Sequence, residues 1–112
     1  MIWLLTLLAC GEGGADSATE TCDRSPPLTY ENFGQGFMRT HCTGCHGTLL
    51  PEEQREGAPV GVDFDTWGDV LNWAERIEAR TGDETMPPGG GPSAEEREKL
   101  AEWMACDVAE NL

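Results

Sequence analysis

Basic residues are scarce in this chain. Seven Lys and Arg stand against 21 Asp and Glu among 112 residues, a formal net charge of −14. So acidic a surface repels phosphate backbones and anionic lipid headgroups, which sets nucleic acid aside as a partner. A basic protein partner is compatible with it, and so is the plainer reading that acidity keeps a small protein soluble. Long apolar runs are missing as well. The longest, Ile2 to Ala9, is too short for a membrane span, which takes about 20 residues. There is no alternating strand pattern and no internal repeat. No acid–base or nucleophile constellation is visible, so a hydrolase or transferase finds no support and the chain reads as a non-enzyme. Apolar residues amount to only 38%. A chain of this size buries a modest share of its surface and gains from a staple, whether disulfide, metal or cofactor. Five cysteines supply that option.

The N-terminus also lacks something: no Lys or Arg precedes the apolar run, although export signals ordinarily begin with positive charge. The run otherwise fits the apolar part of a signal peptide. Its ending, Leu7-Leu8-Ala9-Cys10, resembles a bacterial lipobox, which implies cleavage before Cys10 and lipid on that residue. The alternative is an ordinary signal peptide with a coincidental cysteine. Gly11 to Thr21, rich in Gly, Ser, Thr and acids, reads as a flexible tether. The organisation expected is a signal peptide over 1–9, a lipidated tether over 10–21 and one folded domain over 22–112. The location expected is the periplasmic side of a bacterium, anchored to its cytoplasmic or outer membrane.

Three helical segments follow. The first spans Tyr30 to Thr40, behind Pro26-Pro27 and a Thr29 cap, with Tyr30, Phe33, Phe37 and Met38 on one face. Gly34 and Gly36 weaken it on propensity and suit a close helix–helix approach. The second spans Thr66 to Arg80, opened by a Thr66–Asp69 capping box, with a stripe of Trp67, Val70, Leu71, Ala74 and Ile77. The third starts at Ser93, with Glu96 completing a capping box and Leu100, Trp103, Met104 and Val108 facing inward. The stretches between are loops: Gly47 to Asp63, and the Pro- and Gly-rich run around Met86.

Cys42-Thr43-Gly44-Cys45-His46 carries the chemistry. In a helical turn, positions i and i+3 lie on one side, about 5–6 Å apart. Two thiols so placed can bond two vinyl groups on one edge of a porphyrin, and the next residue's imidazole can turn to the iron. This is the covalent haem c reading of C-x-x-C-H. Zinc needs four ligands, and His41, Cys22 and Cys106 offer no second paired spacing. A thioredoxin-like dithiol belongs in a βαβ context, which this chain does not offer. A chance occurrence of so short a motif is the remaining alternative.

With the motif set among these helices, the chain resembles a small class I cytochrome c over roughly Thr29 to Val108. The matching order is an aromatic helix, Cys42-x-x-Cys45-His46, a long loop, a middle helix, Met86-Pro87 and a last helix with Trp103. The resemblance implies an all-α cytochrome c-like fold of three main helices and long loops around one covalent haem. It implies that the first and last helices cross, with Gly34 or Gly36 against Trp103. It also implies His46 as the proximal iron ligand and a distal ligand from the Met86 loop, where Pro87 stiffens the backbone. Met38 and Met104 fit core positions better. For Met86 the alternative is a loop methionine that covers the pocket and leaves the sixth position open. Arg39, Arg55 and Trp67 are candidates for the haem propionates, each equally readable as a surface charge or core aromatic. His41 is expected to point away from the iron, and Trp73 to flank the haem or stand half exposed. If the terminal helices cross, Cys22 and Cys106 come within reach of a disulfide; otherwise they are free thiols.

The function expected is that of a monomeric, membrane-tethered electron-transfer cytochrome. It would pass single electrons between redox proteins, and basic docking surfaces on them would complement its charge. Methionine–histidine ligation raises the reduction potential and suits such a carrier. A haem-based sensor or gas-binding protein with an open sixth site is one alternative, and the haem subunit of a larger redox enzyme is another.

Overall fold

A helix starts where its first free N–H groups find acceptors, and this chain supplies them three times with one device. Thr29, Thr66 and Ser93 each accept a hydrogen bond from the N–H three residues on. The residue there, Asn32, Asp69 or Glu96, accepts the N–H of the cap in return. The computed structural model describes residues 22–112. The expected signal peptide and tether, with Cys10, lie outside the described residues. Behind the first cap a π-helical turn, Tyr30–Gly34, runs into α1, Gln35–His41. Behind the second come α2, Trp67–Asn72, and α3, Ala74–Gly82. The third opens α4, Ala94–Trp103, which continues as a π-helical turn, Met104–Val108, and a short 3-10 turn, Ala109–Asn111. Among the described residues there is no strand, and the architecture is all-α.

The middle helix differs from the single segment that its apolar stripe implies. It breaks at Trp73, whose backbone sits at φ −108°, ψ 14°. The hydrogen bonding runs on across the break, from Trp73 N–H to Asp69 O and from Ile77 N–H to Trp73 O. The two pieces therefore stay consecutive while the side-chain register shifts. Val70, Ala74 and Ile77 remain in the core, and Trp73 packs half-buried against it while lining a cavity that Ile77 also borders.

Trp103 is the centre of the packing. It is fully buried, with Tyr30, Phe33 and Trp67 around its indole at ring-centroid distances of 6.4, 6.0 and 5.8 Å. Its N–H is not left unpaired: it donates to Asp107 Oδ2 at 2.9 Å, as a buried indole requires. Gly34 lies flat beneath it, and a Cβ there would overlap the indole ring. Gly36 faces open space, so the close approach uses Gly34 alone. Met38 and Met104 are core residues. The segment before α1 is strapped to the end of the last helix by a Cys22–Cys106 disulfide, with Cα atoms 5.6 Å apart. A two-pronged Arg24–Glu102 ion pair, 2.7 and 2.9 Å, lies beside it. In the chain-entropy model, closing 84 residues of sequence restricts the unfolded chain by about 4 kcal/mol.

Two predictions follow from this packing. Gly34→Ala drives a methyl into an indole that has no free space to retreat into. It should cost about 3 kcal/mol or more in chemical denaturation, at the top of the overpacking range, whereas Gly36→Ala should be near neutral or stabilising. Acid should also destabilise the fold. Asp83, Glu96 and Glu102 are held below their ordinary values, by hydrogen bonds to Thr85, Ser93 and Arg24 respectively. Depressed carboxylates bind protons more readily once unfolded, so their contribution is complete above the ordinary values and lost as pH falls below them. The melting temperature should therefore drop as pH is lowered through 4.5. Glu96→Gln, which keeps the capping geometry, should soften that dependence.

Candidate functional site

The Cys42–His46 segment is one more helical turn on the end of α1. Cys42 N–H bonds Met38 O at 2.9 Å, and the N–H groups of Cys45 and His46 both return to Cys42 O, at 3.1 and 2.9 Å. Cys42, Cys45 and His46 consequently share one wall of an open cavity of about 450 Å³. Burial pushes the Cys42 thiol up to about 12, with the Cys45 thiol adding to the shift. A redox dithiol or a zinc site works through thiolates and lowered pKa values. In this setting Cys42 is poorly suited to redox dithiol chemistry, and among the described residues no group of three or more His, Cys, Asp or Glu is placed to hold a metal ion.

His46 is locked in orientation and in tautomer. Its Nδ1 lies 2.8 Å from Val62 O. A carbonyl only accepts, so Nδ1 carries the proton and Nε2 keeps the lone pair that a metal needs. The Phe64 ring stacks on the imidazole, centroids 4.4 Å apart and planes inclined by 26°. Phe64 N–H also bonds His46 O at 2.9 Å, which ties the end of the long loop to its beginning. Thr48 repeats that tie through its N–H and hydroxyl, both donating to Asp65 Oδ1, at 2.7 and 2.8 Å.

Arg55 organises the loop between. Its side chain is 1% exposed, and its guanidinium donates to the carbonyls of Gly47, Leu50, Ala58, Pro59 and Val62 and to Asp63 Oδ1. A guanidinium has five N–H groups, and all five are engaged. None is left over for a haem propionate in this arrangement. The carbonyl of Val62 is shared between Arg55 and His46, so the same clamp that shapes the loop fixes the acceptor that orients the imidazole.

The remaining candidates fall in different places. Met86 lines the cavity from its rim, 40% exposed, and the Met86–Pro87 peptide is cis. Arg39 is exposed on α1 and Trp67 packs between Tyr30 and Trp103; neither lines the cavity. Arg76 and Arg80 do, on the same face of α3 as Ile77 and one turn beyond Trp73. Among the described residues neither guanidinium makes a hydrogen bond or ion pair. The sequence carried a signal for this pair: 73, 76, 77 and 80 recur at helical spacing on one face, next to the core stripe that ends at Ile77. His41, expected away from the iron on the solvent or propionate side, is part of the cavity lining. Its ring meets that of Phe37 at a tilt of 52°, centroids 4.9 Å apart, and its Nε2 meets Glu96 Oε2 at 3.2 Å.

An all-α domain whose C-x-x-C-H turn opens on a cavity, with the histidine lone pair free, is a c-type cytochrome domain. The chain matches the family model described as cytochrome c oxidase, cbb3-type, subunit III, over residues 32–104, and it belongs to that family. Neither a curated protein nor a solved structure matches it. Membership makes haem c, covalently bound, the cofactor, and electron transfer through that haem the activity. The donor set fits the group. Two thiols, an Nε2-bare imidazole and a thioether line one cavity, with Phe64, Trp73 and Ile77 as apolar walls.

The Arg55 clamp is open to test. Arg55→Met leaves Asp63 and several carbonyls unpaired and should lower stability by about 3 kcal/mol in chemical denaturation. Arg55→Lys should recover little of it, because a lysine is a point donor and has no fork.

Proposed function

We propose that this protein is a single-haem electron carrier in which His46 and Met86 would hold the iron. The observation that carries the reading is the joint lining of one cavity by both thiols, the His46 imidazole and the Met86 thioether. The haem supplies a one-electron couple. The chain's part is to hold it through Cys42 and Cys45, orient His46 through Val62 O, and keep water off one face with Phe64, Trp73 and Ile77. Arg76 and Arg80, the cations at the cavity without hydrogen-bonded partners among the described residues, are suited to the propionates. A soft thioether favours Fe(II), which raises the potential.

In this reading the chain is exported and lipidated on Cys10, and the 10–21 tether holds the domain on the periplasmic side of a bacterial membrane. Among the described residues no helix is long and apolar enough to cross a membrane. The net charge of −14 suits docking to basic redox partners. A second reading, an open or labile sixth site that binds gas, draws on the exposure of Met86 at the rim. A third, the haem subunit of a larger redox enzyme, draws on the oxidase named in the family description.

The pyridine haemochrome spectrum and intact mass should show one covalent haem per chain. The reduced protein should resist carbon monoxide, and Met86→Ala should take it up. Ready uptake by the wild type would replace the carrier reading with the gas-binding one.

A further inference from the structure

Arg97 lies in α4, outside the cavity wall, yet its guanidinium spans the loop that carries Met86. Nη1 donates to Thr81 O at 3.0 Å and to Met86 O at 3.2 Å, and Nη2 donates to Gly90 O at 2.8 Å. One planar cation thus reaches the beginning, middle and end of the loop. Up to Met86 the loop is also tied to the end of α3, by Thr85 N–H on Arg80 O and by the Thr85–Asp83 hydrogen bonds; beyond Met86, among the described residues, the tie is Arg97 on Gly90 O. Gly89, Gly90 and Gly91 all have positive φ, and so does Glu84. Met86 N–H is bonded separately, to Arg80 O at 3.1 Å. Both backbone polar groups of Met86 are therefore fixed, one to the end of α3 and the other to α4.

We propose that Arg97 is the positioning residue for the distal ligand. It ties the Met86 backbone to α4, whose own place is set by Trp103 on Gly34, and so keeps the thioether at the cavity. The inference rests on Met86 as the ligand, argued above. An external ligand binds only the population in which methionine is off the iron, so its apparent affinity scales with that population. Removing the clamp raises the population without touching any group that contacts haem. A lysine carries the same charge but cannot span three carbonyls, so it restores the clamp only in part.

The test uses the full haem-loaded protein as wild type, Met86→Ala, Arg97→Met and Arg97→Lys. Two quantities are read: the apparent carbon monoxide affinity of the reduced form, and the sulfur-to-iron charge-transfer band of the oxidised form. Arg97→Met should keep its covalent haem, gain about tenfold or more in carbon monoxide affinity and lose intensity in the band. Arg97→Lys should fall between it and the wild type. If Arg97→Met only melts earlier, with affinity and band unchanged, Arg97 is a structural tie and the proposal is overturned. If Arg97→Met yields no folded protein, Arg97→Lys decides, and wild-type ligation in it overturns the proposal. If the wild type binds carbon monoxide as readily as Met86→Ala, Met86 is not the ligand and both readings fall together. Resistance in the wild type with an inert Arg97→Met removes the clamp alone.

Discussion

The missing side chain at Gly34 is the constraint on which the other contacts depend. With no Cβ in the way, the Trp103 indole lies directly on the backbone of the first helix, and Tyr30, Phe33 and Trp67 close around it. That contact sets how the first and last helices meet. The end of α1 leads straight into the Cys42–His46 turn, and the start of α4 carries Glu96 and Arg97. One close approach therefore sets the relation between the haem-attachment turn and the residues that hold the opposite loop. The Cys22–Cys106 disulfide and the Arg24–Glu102 pair strap the same two segments together further along.

The cavity itself is built mostly from loops, and loops raise a question of hydrogen-bond accounting. Backbone carbonyls outside regular structure still need donors when water is excluded. This chain answers with arginine. Arg55 satisfies the carbonyls of the loop after His46, and Arg97 those of the loop around Met86. One side chain with five donors supplies the hydrogen bonds that a ladder supplies elsewhere. A chain with only seven basic residues thus places two of them as loop clamps and two more, Arg76 and Arg80, on the cavity wall. The acidity of the surface and the cationic character of the site are two sides of one distribution.

Much of this was legible along the chain because the signals are local. Thr29, Thr66 and Ser93 are caps that depend on residues three positions away. Cys42, Cys45 and His46 form a site element within a single turn, and the apolar stripes of the first and last helices mark the faces that are buried. What escaped the reading depends on partners far off in sequence. Arg55 was a candidate for propionate, and no pattern in the chain tells that its donors are consumed by Gly47, Pro59 and Val62. The break at Trp73 goes with a side chain that both packs against the core and lines the cavity. The contact of His41 with Glu96 crosses 55 residues.

The sequence by itself determined the three capped helix starts and the covalent chemistry, because capping and the C-x-x-C-H spacing act over a turn or less. The tertiary structure decided which glycine receives Trp103, which proton His46 keeps and which arginines face the cavity. Each of these is a choice between chemically similar candidates, such as Gly34 or Gly36 and Arg39 or Arg76. Such choices are made by distances that exist only after segments remote in the chain have packed together.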